Sequence, residues 1–417
     1  MKFVFALLAA LAAAMPAAAE TILIRDGRVI TNTAAGVIER GDVLIADGRV
    51  SAVGADIAAP RNARIIDASG KWVTPGVFAA MSELGLSEIS GSGAPNDADI
   101  EGDLISAAAD AGRAFNPSAT AIAVTRIEGV TRAAIAPSAS GTIFAGRGAL
   151  VSLGGGPDSV FRQRAFQVLE LGEPGAARVG GSRAALWPAL EAALRDAREY
   201  PGRYRSGQGG AVLNEIDAAA LKPFAEGQGL FLVHIESAAD IHELIRFNHA
   251  NPRLRFAIHG GAEAWMVADE LARAGIPVIL DPLANLPDRF ERLAARLDNA
   301  VLLDRAGVRF AIAPAPDTVD AHQARLALQL AGNAVANGLE WDAAFAAITR
   351  TPAEIFGAEG LGVLARGAIA DVVVWDGDPL EVMSAPTAVF IDGVEQPLVS
   401  RQTRLRDRYH PAGRQAR

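Results

Sequence analysis

From about residue 74 to 355 the chain alternates short apolar runs with longer stretches of helical period, and this alternation constrains the fold more than any other feature. Candidate strands are Thr120-Val124, Ala133-Ala136, Leu230-Val233, Arg255-Ile258, Val278-Leu280 and Arg309-Ala313. Helical patterns cover Ala184-Arg198, Ala238-Asn248, Ala262-Ala274, Asp320-Asn337 and Trp341-Arg350. Strand after helix after strand implies parallel strands joined by crossover helices. Over this length an α/β fold closed as a (β/α)8 TIM-type barrel fits better than an open sheet. Hydrophobic residues make up 50% of the chain, ample for such a core. No Gly-rich nucleotide loop stands between a strand and a helix, and Gly154-Gly155-Gly156 reads as a plain turn.

Both chain ends carry a different pattern. Thr21-Ile24, Val29-Ile30, Asp42-Ile45 and Val50 are short β-segments punctuated by Asp26-Gly27 and Asp47-Gly48, a hairpin signal. The pattern returns at Ala370-Trp375, Asp376-Gly377-Asp378-Pro379 and Val389-Gly393. Each end alone has too few strands for a stable core, so the two together are expected to form one small β-sandwich domain. Gly36 to Arg40 and Ser90 to Asp103 read as loops, the second as a wall of the barrel's active face.

The first 19 residues read as a cleavable leader: Lys2, an apolar run from Val4 to Ala14, and Ala17-Ala18-Ala19 before Glu20. A periplasmic or secreted location is therefore expected. No later stretch has about 18 consecutive apolar residues, so no membrane span is expected. The net charge is −9, or −10 once Lys2 leaves with the leader, and no focused basic patch points to nucleic acid. Cysteine is absent, so any metal site rests on histidine and carboxylate. The expected division is a leader at 1–19, a composite β-domain from 20–73 plus 358–400, a barrel at 74–357, and a solvated basic tail at 401–417.

Three segments together resemble the amidohydrolase superfamily, in particular its exported imidazolonepropionase-like branch. Asp67-Ala68-Ser69-Gly70-Lys71-Trp72-Val73-Thr74-Pro75-Gly76 is similar to that family's lead into the first barrel strand. Thr351-Pro352-Ala353-Glu354-Ile355-Phe356-Gly357 resembles its helix after the last barrel strand. Gly362, Leu364, Gly367 and Ala370-Asp371 before Val372-Trp375 resemble its return to the β-domain. The resemblance implies one or two divalent metals that lower the pKa of a bound water. It also implies a ligand set: a His-x-His pair on strand one, Lys or Glu on strand four, single histidines on strands five and six, and an Asp on strand eight that shuttles the proton.

Carried over position by position, that set is incomplete. The strand-one histidines fall on Met81 and Glu83, and the preceding acid on Ala79. Met is a poor ligand for hard or borderline ions, and Ala is none. Glu83 is either a one-oxygen metal donor or a salt-bridge partner. His234 and His259 stand at the fifth- and sixth-strand positions, as a shared site or as two hydrogen-bonded strand ends. Leu150-Val151-Ser152-Leu153 offers no fourth-strand ligand. Asp317, beyond Pro314 and Pro316, is either a displaced catalytic acid or a helix-capping turn.

The metal candidates are thus His234, His259 and Glu83, and the catalytic candidate is Asp317. The cofactor expectation is one divalent metal, zinc foremost, or none. Three functions stay open. The first is hydrolysis of non-peptide or cyclic amide C–N bonds with a reduced or lost metal site. The second is an inactive barrel that binds a small periplasmic ligand or a partner protein. The third is metal-free hydrolysis by Glu83 and a histidine. A small molecule is the expected partner, with an oligomer left open.

Overall fold

A computed structural model describes residues 20–88, 96–102, 104–139, 141–205, 209–316, 318 and 323–410. Residues 1–19 (expected to be a leader), Asp317, His322 and much of the 90–103 stretch lie outside the described residues.

Eight strands form the barrel sheet, in spatial order Val77–Ser82, Val130–Ile135, Phe144–Ser152, Val160–Glu170, Leu230–Ile235, Arg255–Gly260, Val278–Leu280 and Phe310–Ile312. Strand four onward pairs in parallel, as does strand one with strand two. Strand three, Phe144–Ser152, runs antiparallel to both of its neighbours. The expected strict alternation therefore fails between strands two and four, which are joined by turns rather than helices. Gly154-Gly155-Gly156 lies in the second of these turns.

Closure is indirect. Phe78 N donates to the Ile348 carbonyl (2.8 Å) and Ile312 N to the Ala347 carbonyl (2.9 Å), so a short segment bridges strands one and eight. Phe78, Met81, Phe166, Val168, Leu232, Ile279 and Ala311 fill the interior. Strand three carries Gly148 because a Cβ there would stand 2.1 Å from the Phe166 ring.

Thr120–Arg126 is a helix, not the expected strand at Thr120-Val124. Its buried residues Ala121, Ile122 and Thr125 fall on one helical stripe, and a short apolar run cannot by itself distinguish the two periods. Helices at Arg183–Glu199 and Ala238–Ala250 match the predicted patterns within two residues. The pattern at Trp341-Arg350 divides into Trp341–Ala346 and Arg350–Ile355, separated by the bridging segment.

The chain ends meet in a second eight-stranded sheet. Trp72–Pro75 pairs antiparallel with Val372–Trp375, which carries Pro386–Ile391, while Ile22–Ile30 and Val37–Ala46 extend the other side. Residues 37–40, read as loop, belong to this sheet. Arg132 of the barrel fastens it: Nε and Nη2 donate to Asp371 (2.6 and 2.9 Å) and Nη2 also to Asp392 (2.6 Å). At the far end Arg401–Tyr409 is an exposed helix capped by Ser400 and Thr403, where a solvated tail was expected.

Candidate functional site

Parallel register brings three polar side chains into one row. Glu170 pairs with His234, and His234 with His259, at the carboxyl ends of strands four, five and six. Side chains that alternate along a strand point to the same face when they stand in register, so all three turn inward. They line a cavity of about 40 Å³ together with Glu83, Met81, Ser138 and Pro316. The structure thus gathers Glu83, His234 and His259 around one space, and says nothing of Asp317, which is outside the described residues.

Sequence reasoning missed Glu170. It sought the fourth-strand residue at Leu150-Leu153, which belongs to the reversed strand three and ends at the opposite rim. The polar start of Val160–Glu170 hid the true strand. The run Ala165-Phe166-Gln167-Val168-Leu169-Glu170, ending in an acid before Gly172, is the signal that marks it. Glu236, two residues beyond His234, is buried at 1% exposure, which no local pattern in the sequence marks.

Each donor already has a partner. Glu170 Oε2 accepts from His234 Nδ1 (2.7 Å), with the Arg178 guanidinium 3.9 Å away. His234 Nε2 faces Glu236 Oε1 across 3.6 Å, an ion-pair rather than a hydrogen-bond separation. Glu236 in turn accepts from Arg292 Nη2 (2.7 Å) and from Ala262 N (2.9 Å). His259 Nε2 donates to the Pro314 carbonyl (3.0 Å).

The two histidines are driven apart electrostatically. Burial alone disfavours the imidazolium at His234, but the Glu170 and Glu236 carboxylates outweigh it and push the group up to about 10. His259 is pushed down to about 4, first by burial, with the charge on His234 adding to it. Burial also works against ionised Glu170 and Glu236, yet His234 holds both below the usual carboxylate range. The mouth therefore holds a charged and a neutral imidazole on adjacent strands.

These residues do not fit the two-ion centre. Donors sharing one tetrahedral zinc at about 2.1 Å stand about 3.4 Å apart. Glu170 and His234 are 2.7 Å apart, with a proton between them. The proton that bonds His259 Nε2 to Pro314 occupies the nitrogen's lone pair. Among the described residues no group of three or more His, Asp or Glu side chains has metal-ligating geometry. Met81 lines the strand-one side of the cavity with apolar atoms, while Ala79 packs in the core outside the barrel sheet.

The comparisons with known proteins agree with the fold. Residues 258–399 match the model of the amidohydrolase family. Amidohydrolase tasK of Hapsidospora irregularis is 27% identical over 85% of this chain, which spans only 40% of that protein's length. A dihydroorotase of Anaeromyxobacter dehalogenans is 44% identical over 57 residues, 14% of this chain and 13% of the enzyme. The crystal structure of an amidohydrolase from Thermotoga maritima superposes with a TM-score of 0.80 at 25% identity, covering 90% of this chain and 99% of that one. The partial family match and the near-full-length structural likeness together support placing this chain in the amidohydrolase superfamily.

Proposed function

We propose that the protein is an amidohydrolase-type barrel that binds a small C–N compound, a non-peptide amide or cyclic amide, at this mouth without two-ion hydroxide chemistry. One observation carries the reading: Glu170 and His234 are bonded to each other and His259 to Pro314, and Ala79 and Met81 occupy the strand-one positions. Hydroxide forms near neutrality only on an ion held by enough donors. A cavity of about 40 Å³ accepts one polar group or a few waters rather than a whole substrate. A neutral imidazole beside a charged one suits recognition of a group that both donates and accepts, such as an amide.

A second reading is hydrolysis of C–N bonds by a single ion. It is favoured by the convergence of Glu83, His234 and His259 on the same cavity. Under that reading the three would hold zinc and Asp317 would move the proton. The test is incubation of tag-free protein with hydantoin as a cyclic-amide probe, with and without zinc. Saturable binding that His234→Ala weakens, with no turnover in either condition, supports the first reading. Zinc-dependent ring opening replaces it with the second. The leader read at 1–19 adds the proposal that the protein works outside the cytoplasm, checked by finding Glu20 at the mature N-terminus.

A further inference from the structure

We infer that an internal cation, the Arg292 guanidinium bonded to Glu236, has taken the place of a divalent ion, so that this barrel mouth excludes one. The inference rests on the binding-without-hydrolysis reading and names what replaced the metal.

Charge bookkeeping gives the argument its force. Glu236 is a buried carboxylate and Glu170 a largely buried one, 12% exposed, and leaving such groups without a cation is costly. A metal barrel would neutralise them with the ion. Here Glu170 is met by His234 at 2.7 Å and Glu236 by Arg292 at 2.7 Å, both within the protein. Glu170 has His234 and, 3.9 Å away, Arg178, and Glu236 has Arg292, which also lies 3.5 Å from Asp288, so both acids are met within the protein without an ion.

Arg292 is built into this position rather than reaching in from solvent. It lies in the short 3-10 turn Phe290–Arg292, on the long connection after strand seven, and its side chain is 6% exposed. The residues on either side fasten that turn. Glu291 accepts from Arg183 Nη2 (3.1 Å) and Glu173 N (2.8 Å), and Ala294 N donates to Glu263 (3.0 Å). A guanidinium held by its own loop keeps its charge at every accessible pH. Gly260, on strand six, leaves the space: a Cβ there would stand 2.8 Å from the Glu236 carboxylate. The Glu236–Arg292 pair is thus accommodated from three sides.

Calorimetric titration of tag-free, full-length protein with zinc chloride tests this. The wild type is expected to show no stoichiometric zinc binding. Arg292→Met is expected to raise zinc affinity at least tenfold by freeing Glu236 beside His234, whereas Arg292→Lys, which keeps the charge, stays like the wild type. One zinc per wild-type chain, lost in both His234→Ala and His259→Ala, overturns the inference. So does a folded Arg292→Met variant, checked by circular dichroism, with unchanged zinc affinity. If Arg292→Met does not fold, the wild-type titration alone decides. Zinc bound without hydantoin turnover sinks this inference and leaves the binding reading standing, whereas zinc-dependent turnover sinks both.

Discussion

The two sides of the barrel mouth are made of different material. Along strands four to six, Glu170, His234 and Glu236 form a charged row tied by hydrogen bonds and ion pairs, with the neutral His259 beside them. Along strand one, Met81 presents only apolar atoms to the cavity, with Glu83 just beyond it. An apolar wall stays dry at no electrostatic cost. A buried charged wall persists only if every charge has a partner, so its members stand or fall together. The difference teaches that a charged wall facing an apolar one must neutralise itself from within its own side.

The sharpest way to break that comparison is to remove one charge from the charged side. Glu236→Ala leaves Arg292 and His234 without the carboxylate between them, and breaking such a buried pair costs about 3–5 kcal/mol. Urea unfolding measures it. A loss below about 1 kcal/mol, the range of exposed pairs, would show that the row is not interdependent. Gly260→Ala comes next. Its φ of 111° strains any side chain, and the added methyl meets Glu236 at 2.8 Å. We expect a loss of about 1–3 kcal/mol from the backbone alone. A Gly260→Ala variant as stable as the wild type would mean that Glu236 can move aside.

The same contrast decides how much could be read from the sequence. Strands five and six were legible because apolar runs end in His234 and His259, and the chain ends were legible because Thr21-Ile24, Asp42-Ile45 and Ala370-Trp375 are β-patterned. Strand four was not, because its first half, Phe161-Arg162-Gln163-Arg164, lies exposed or half exposed and lacks an apolar period. Register placed Glu170 beside His234, and register belongs to pairing rather than to any local segment. Arg292 was invisible for a related reason. It sits 56 residues from Glu236 in a loop whose neighbours, Leu286, Phe290 and Leu293, look like ordinary surface residues and are exposed.

pH separates the two histidines more gently. His234 has its folded pKa raised to about 10 from a reference near 6.5, so its contribution to stability is complete below about 6.5 and lost as pH rises through 10. For His259 the folded value is lowered to about 4. The unfolded chain then binds the extra proton between about 4 and 6.5, and stability falls as pH falls through that window. Urea midpoints measured from pH 4 to 10 should therefore peak near neutrality. In His234→Gln the alkaline decline should flatten while the acid one remains. An unchanged alkaline limb in that variant would place the raised pKa elsewhere.

The smallest effect belongs to the apolar side. Met81 is 7% exposed and packs in the barrel interior with Phe78, Phe166 and Val168. If it serves only to fill space, Met81→Leu conserves volume and should cost less than about 1.5 kcal/mol. It should also leave the alkaline limb of the pH profile where the wild type has it, because Leu adds no charge and removes none. Equality of both readouts marks strand one as passive packing. A shift of that limb by a full pH unit would instead show that the thioether contacts the His234 pair, and the two sides of the mouth would then be one electrostatic unit.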